Sequence, residues 1–158
     1  MFRMLRSRRG NAFVEALFVL PVYIFFIVAI LESGFLVYNW AVVNYATSSA
    51  AVKAAVQGQF TPAIRQEAAD YLRDWTLDGK TMNGDYMALS PRVEGNTIVV
   101  WGTDPNQRVH RGGNVVVGIV YPVRFKLLSV GGLGSWLVQQ YDLTLKTRAV
   151  VMSERYFE

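Results

Sequence analysis

The chain has 158 residues, no cysteine and a formal charge of +4, with a sequence pI near 9.5. When its very apolar first third is set aside, the remainder is long enough for one globular domain with its own core but too short for two. The lack of cysteine excludes disulfides, a lipid-anchored cysteine, thiol catalysis and thiolate metal sites.

The positive charge is concentrated at the N-terminus. Arg3, Arg6, Arg8 and Arg9 lie in the first ten residues, which contain no acidic side chain, so removing this segment takes away four of the 16 cations and leaves the rest balanced. A basic end directly before an apolar run is typical of a topology or targeting signal. We therefore expect the lipid bilayer, and not nucleic acid, as a partner.

An apolar run follows the arginines. Residues 12–31 carry a single charge, Glu15, and twenty residues in a helix span the hydrocarbon core of a bilayer. The pattern continues past Glu32 to Tyr38, whereas a secretory signal has a shorter apolar region followed by a small-residue cleavage site. A core helix would need more protein around it than this chain supplies. The sequence predicts a retained single transmembrane helix with a cytoplasmic N-terminus.

Two residues of the predicted span are costly in lipid. Glu15 is either a functional intramembrane carboxylate or a helix-start acid that reaches the interface, and taken alone the residue leaves both open. Pro21 removes an amide donor and clashes with the carbonyl of Leu17, which predicts a kink in the helix.

The residues around Glu15 carry a family resemblance. The stretch RRGNAFVE places basic residues, a glycine, four residues and a glutamate at the head of the apolar run, and it resembles the class III leader of type IV pilins and pseudopilins. The resemblance implies that prepilin peptidase cuts between Gly10 and Asn11, removing residues 1–10. It also implies that Glu15 guides assembly. The pairing of Glu15 with the new ammonium at Asn11 of a neighbouring subunit would fix the axial register.

Further motifs narrow the resemblance. Val14-Glu15, Leu20-Pro21, the sequence ILESG at residues 30–34 and the alanines near residue 50 are similar to those of TadE-like proteins, pilin-like components of tight-adherence (Tad) pilus systems. Ala16 departs from the aromatic residue of the short major pilins, which favours a minor pilin. Asn11 and Val14 depart from type II secretion pseudopilins.

The TadE resemblance implies that the chain is a structural subunit supporting pilus biogenesis and adhesion. Its implied partners are prepilin peptidase, other pilin or pseudopilin subunits and an inner-membrane assembly platform. It also implies an inner-membrane location with the C-terminal domain periplasmic or extracellular, and possible incorporation into the pilus. Residues 11–38 would form the transmembrane helix, 39–57 its continuation and 58–158 the outer domain.

A second, amphipathic helix is predicted after Gly58. Thr61 and Pro62 supply an N-cap and a proline at the first helical position. The apolar side of the helix is expected to pack on the core, with Arg65 and the other polar residues mostly elsewhere. That apolar side comprises Ile64, Ala68, Tyr71, Leu72 and Trp75.

Period-two alternation begins after Met87. Residues 90–92 and 97–101 predict a hairpin around Glu94-Gly95-Asn96, and residues 115–125 and 141–151 predict two further strands, with Pro122 at an edge or at the end of pairing. The expected fold class is α+β, with the short helix packed on a three- to four-stranded antiparallel sheet. Loops 102–114 and 129–135 are candidate contact surfaces. The second, SVGGLGS, lacks the Lys-Ser/Thr of a phosphate-binding loop.

No catalytic or metal site is predicted. His110 is the single histidine and lies in a loop, and Asp70, Asp74 and Asp78 have the character of solvated acids. We expect no cofactor and no enzyme activity, which disfavours a membrane-tethered hydrolase. A single-pass protein with a partner-binding outer domain that does not assemble remains the alternative; it predicts an uncut N-terminus and little effect of Glu15→Ala.

Overall fold

A computed structural model describes residues 8–125, 127 and 143–157 of the chain. Arg3, Arg6 and the loop at 129–135 lie outside the described residues. The elements in chain order are helix α1 (Arg8–Gln57), helix α2 (Pro62–Trp75), a 3-10 turn (Gly79–Thr81) and strands β1 (Asn83–Ala88), β2 (Thr97–Gly102), β3 (Asn114–Pro122) and β4 (Thr144–Met152). The predicted α+β class with a long N-terminal helix is confirmed.

The end of α1 and the start of α2 lie where the sequence predicts them. Gly58 adopts a left-handed φ of 65°, its amide donates to the Ala55 carbonyl, and the next amide, of Gln59, donates to Ala54. This pair of bonds closes a helix in a Schellman motif, in which glycine tolerates the left-handed backbone. The Thr61 hydroxyl then accepts from the Ile64 amide and caps α2.

The C-terminal half of α1 packs on the sheet through small side chains. Alanine at the helix surface lets the helix backbone approach β3 and β4 closely, which buries this face almost completely. The Thr47 and Thr147 hydroxyls lie 2.5 Å apart and join α1 to β4 by a hydrogen bond. The buried alanines of this face are Ala46, Ala50, Ala51, Ala54 and Ala55.

The four strands form one mixed sheet in the order β1-β2-β3-β4. The β2/β3 and β3/β4 pairs are antiparallel, and Pro122 ends the β3/β4 pairing opposite Thr144, as its lack of an amide hydrogen predicts. The odd-numbered residues of β3 face the helices as expected, and those from Val115 to Tyr121 are fully buried. Both helices cover the same face of the sheet: α1 contacts β3 and β4, while α2 contacts β1 and β2.

The hairpin predicted for residues 90–101 is wrong. The turn exists, since the Thr97 amide donates to the Glu94 carbonyl, but the strand that pairs with β2 is Asn83–Ala88 and runs parallel to it. Residues 89–96 form the largely exposed connection from β1 to β2, and an ion pair between Arg92 and Asp85 holds this connection beside β1. Weak strand formers at the start of β1 concealed it from a periodicity argument.

Arg65 was predicted on the polar side of α2, and this is also wrong, because its side chain is fully buried. The guanidinium donates to the carbonyls of Phe60, Tyr86, Ala88 and Thr103 at 2.6–3.3 Å. Burial lowers the pKa of this guanidinium, against the opposing influence of two nearby aspartates. It is a structural clamp, joining α2 to β1, to the residue after β2 and to the α1–α2 connection.

Candidate assembly site on the N-terminal helix

The N-terminal half of α1 has no cover from the rest of the chain. Between Val14 and Ile27 every side chain is exposed, and the large apolar residues of this stretch are 44–71% exposed. A soluble protein does not leave such a surface to water. Among the described residues, one helix is long and apolar enough to cross a membrane, which indicates a single membrane span.

Glu15 lies within this uncovered segment, one helical turn beyond Asn11, and its side chain is exposed along with its neighbours. Four residues at helical rise separate the two by about 6 Å along the axis. The described residues place no cation of this chain in an ion pair with Glu15. A carboxylate in this position is available to a group on another molecule.

The candidate cleavage site lies within α1, because Gly10 and Asn11 are both helical. A peptidase that needs an extended substrate therefore has to unwind the helix locally at this bond. Glycine, with its low helix propensity, makes that unwinding easier.

Pro21 sits inside α1, and the helix continues on both sides of it without interruption. The carbonyl of Leu17 cannot receive the usual bond, because proline has no amide hydrogen. The side chains of both residues are exposed. The kink at Pro21 stays a prediction.

Glu32 is a site residue that sequence reasoning missed. It was counted only as part of the family motif, yet its side chain is 4% exposed and Glu32 Oε2 accepts from the Leu127 amide at 3.1 Å. This bond ties the chain beyond β3 to α1, next to the apolar segment. The available signal was a second carboxylate at the end of a twenty-residue apolar run.

Contacts between α1 and the sheet domain continue six and seven residues after Glu32. The Tyr38 hydroxyl donates to the Trp75 carbonyl at 2.8 Å, and the buried Asn39 accepts from the Leu77 amide. From this level onward one side of α1 is covered. The sheet domain therefore packs directly on α1 beyond the C-terminal end of the apolar segment.

Outside α1, the described side chains that could take part in catalysis or metal binding do not lie together. His110 is exposed, with its ring edge-on to Phe157, and the described residues contain no cluster of three or more potential metal ligands. The burial of Tyr121 in the core raises the pKa of its phenol. Within the described part of the chain, the arrangement supports binding through surfaces.

Comparison with known proteins agrees with this geometry. A family model described as TadE-like protein matches residues 10–52, a segment that begins at Gly10 and lies wholly within α1. No curated protein and no solved structure matches the chain. The match includes Glu15, Pro21, Glu32 and the first part of the alanine face, and it stops short of the sheet domain. The N-terminal helix of this chain thus matches the TadE-like protein family, and the similarity is confined to that helix.

Proposed function

We propose that this protein is a minor pilin of a Tad-type pilus, processed after Gly10 and assembled through α1. The observation that carries the proposal is the uncovered apolar half of α1, headed by Glu15 and matched by the TadE-like family model. Apart from the Leu17 carbonyl opposite Pro21, such a helix satisfies its backbone internally, so it can move from lipid into a bundle of like helices.

Cleavage creates the charge that assembly uses. Before processing, Asn11 is an internal residue; afterwards it carries a free ammonium four residues from Glu15. In a parallel array, this ammonium meets the Glu15 carboxylate of a neighbour that is shifted by about 6 Å along the axis. An unpaired charge in that low-dielectric surrounding is costly, so the pair selects one register more than it adds stability.

The sheet domain then projects from the end of this array that lies on the periplasmic or extracellular side. Arginines before Gly10 keep the N-terminus cytoplasmic, which carries the domain to the periplasmic or extracellular side. Because the domain rests directly on α1 through Tyr38, Asn39 and the alanine face, its orientation follows that of the helix. The subunit presents the domain to partners at a fixed angle.

Glu15 variants test the assembly step. In cells carrying the rest of the pilus system, Glu15→Ala is expected to be processed normally but lost from sheared pilus and assembly-complex fractions. Glu15→Asp retains the charge and is expected to be partly incorporated. Glu94→Ala, which removes an exposed carboxylate from the connection between β1 and β2, is the matched control and is expected to assemble. Normal incorporation of Glu15→Ala would overturn the proposed role of the carboxylate.

A further inference from the structure

The end of the domain far from the membrane carries a basic, aromatic surface, which we call the distal cap. It is formed by Arg108, Arg111, Arg155, Tyr156 and Phe157. The guanidiniums of Arg108 and Arg155 lie 5.5 and 5.3 Å from the Phe157 ring centre, and that of Arg111 lies 4.8 Å from the Tyr156 ring centre. Stacking of this kind holds arginine side chains in place. Arg111 Nη1 also donates to the Tyr156 hydroxyl at 2.7 Å, and its remaining N–H groups can face a partner.

The cap is attached to the C-terminal end of α1. The Glu154 amide donates to the Ala55 carbonyl, the Val109 amide donates to the Gly58 carbonyl, and the Phe157 ring lies beside Gly58. Tyr156 projects outward and is 71% exposed. These contacts hold the cap at a defined position beside the C-terminal end of α1.

The three cap arginines have no carboxylate within ion-pair distance in the described part of the chain. Two acidic residues, Glu154 and Glu158, adjoin the cap in sequence. Three guanidiniums and two side-chain carboxylates leave one positive charge in excess. Gathering like charges is unfavourable unless an anionic surface meets them.

A surface of opposite character lies on the flank of the same molecule, in the groove between α1 and α2. Glu67, Asp70 and Asp74 are exposed along its α2 side, and Lys53, on α1, is paired with Glu67. One ammonium and three carboxylates leave two negative charges in excess. The charge of this helix groove thus complements that of the distal cap.

The groove is also aromatic. Tyr45, Tyr71 and Trp75 form a row with ring centres 5.3 and 6.0 Å apart, and Trp75 is 58% exposed although a core-facing position was expected from its spacing. The cavity beside this row measures about 240 Å³, below the range typical of small-molecule sites. A concave aromatic groove of this size suits protruding side chains such as Tyr156.

We infer that the distal cap of one subunit docks into the helix groove of a second copy of this chain. The inference rests on the proposed function, in that both copies are assembling subunits, and it names the outer contact between them. The two surfaces differ, so each copy uses its cap on one neighbour and its groove on another. Such a heterologous contact propagates along an array and does not close into a dimer.

Geometry fixes the stagger that this contact requires. The cap lies at the level of Gln57, while the middle of the groove lies at Ala46 to Ala50 on α1. At helical rise these levels differ by roughly 10–17 Å, so the second copy must be displaced outward by that distance. The Asn11–Glu15 pairing displaces its two copies by only about 6 Å. Because the two displacements differ, the two contacts are made with different neighbours.

Cysteine crosslinking tests the inference, and the absence of native cysteine makes the experiment clean. Ser49→Cys places a thiol in the groove and Glu154→Cys places one in the cap, without altering an arginine of the cap. Full-length protein carrying both is expressed in cells with the pilus system and treated with a short bis-maleimide. The expected product is a ladder of dimers, trimers and higher multimers, with little crosslinking of either single-cysteine variant. The control pairs Ser49→Cys with Lys146→Cys, on the exposed side of β4, and is expected to stay monomeric.

Charge exchange then tests the chemistry of the contact. Adding Arg111→Glu and Arg155→Glu to the double-cysteine protein is expected to reduce the ladder at least about tenfold, since like charges that face each other cost more than 1.4 kcal/mol. Adding Asp70→Arg and Asp74→Arg restores opposite charges and is expected to recover the ladder. Dimers from single-cysteine variants, an undiminished ladder after charge reversal, or failure of the exchange to restore it would overturn the inference. Processing is read from the same samples by mass, so a cleaved subunit without a ladder refutes this contact and leaves the proposed function standing.

Discussion

From the burial of Arg65 we predict how much its replacement lowers the free energy of unfolding of the sheet domain. In Arg65→Met the side chain keeps its apolar stem but loses the guanidinium that binds four carbonyls. The three shorter bonds, to Tyr86, Ala88 and Thr103, lie at 3.1, 2.9 and 2.6 Å. A buried acceptor left without a donor costs about 1–3 kcal/mol, and relief of the guanidinium's own desolvation offsets part of the loss. We expect a decrease of about 3–5 kcal/mol in the free energy of unfolding.

Arg65→Lys tests whether a positive charge alone stabilises the domain or whether the geometry of the guanidinium is also needed. The ammonium keeps the positive charge but directs its donors from one point, so it cannot reach carbonyls on two strands and the α1–α2 connection together. We expect a loss of about 2–3 kcal/mol, smaller than for methionine. Arg73→Met removes an exposed arginine from the same helix and is expected to change stability by less than about 0.5 kcal/mol.

Urea unfolding of the detergent-solubilised full chain, followed by tryptophan fluorescence, measures these differences. A change in the midpoint at constant slope reports stability alone. The clamp does not stabilise the domain if the free energy of unfolding of Arg65→Met is within about 1 kcal/mol of that of the parent protein. The same conclusion follows if Arg65→Met and Arg73→Met unfold at the same urea concentration.

Three further changes have defined outcomes in the same unfolding assay. Thr61→Ala removes the cap on the Ile64 amide and is expected to cost about 1 kcal/mol, whereas Thr61→Ser should retain most of it. Gly58→Ala is expected to cost more than 1 kcal/mol, since φ is 65° and the new methyl would meet the Phe157 ring at 2.8 Å; an unchanged midpoint would contradict both points. Burial raises the pKa of Tyr121, so stability is retained below the phenol's unfolded pKa near 10 and falls as pH rises above it. Tyr121→Phe should flatten that alkaline fall, and equal slopes in both proteins would refute the assignment.

The sequence was most informative where local chemistry decides structure. Gly58, Thr61 and Pro62 determine one helix end and the next helix start through their own backbone preferences, and the structure places both there. The strict alternation after Val115 likewise marks the side of β3 that faces the helices. The apolar N-terminal helix follows from its length and lack of charge.

The features that escaped prediction depend on distant parts of the chain. Whether β2 pairs with a strand formed by residues 90–92 or with Asn83–Ala88 is a matter of tertiary pairing that an alternating pattern does not encode. Arg65 is buried where carbonyls from the α1–α2 connection, β1 and the residue after β2 converge on its guanidinium. Glu32 is buried because it accepts from the Leu127 amide, 95 residues away in sequence. In all three cases the partner, not the residue type, determines the environment.

The most direct test of the central claim is the mature N-terminus. Protein isolated from membranes of cells with and without prepilin peptidase is compared by intact mass and N-terminal sequencing. We expect a chain that begins at Asn11 when the peptidase is present and an uncut chain when it is absent, with Gly10→Leu uncut in both. A chain that still begins at Met1 in the presence of an active peptidase would contradict the proposal that this protein is a processed pilin.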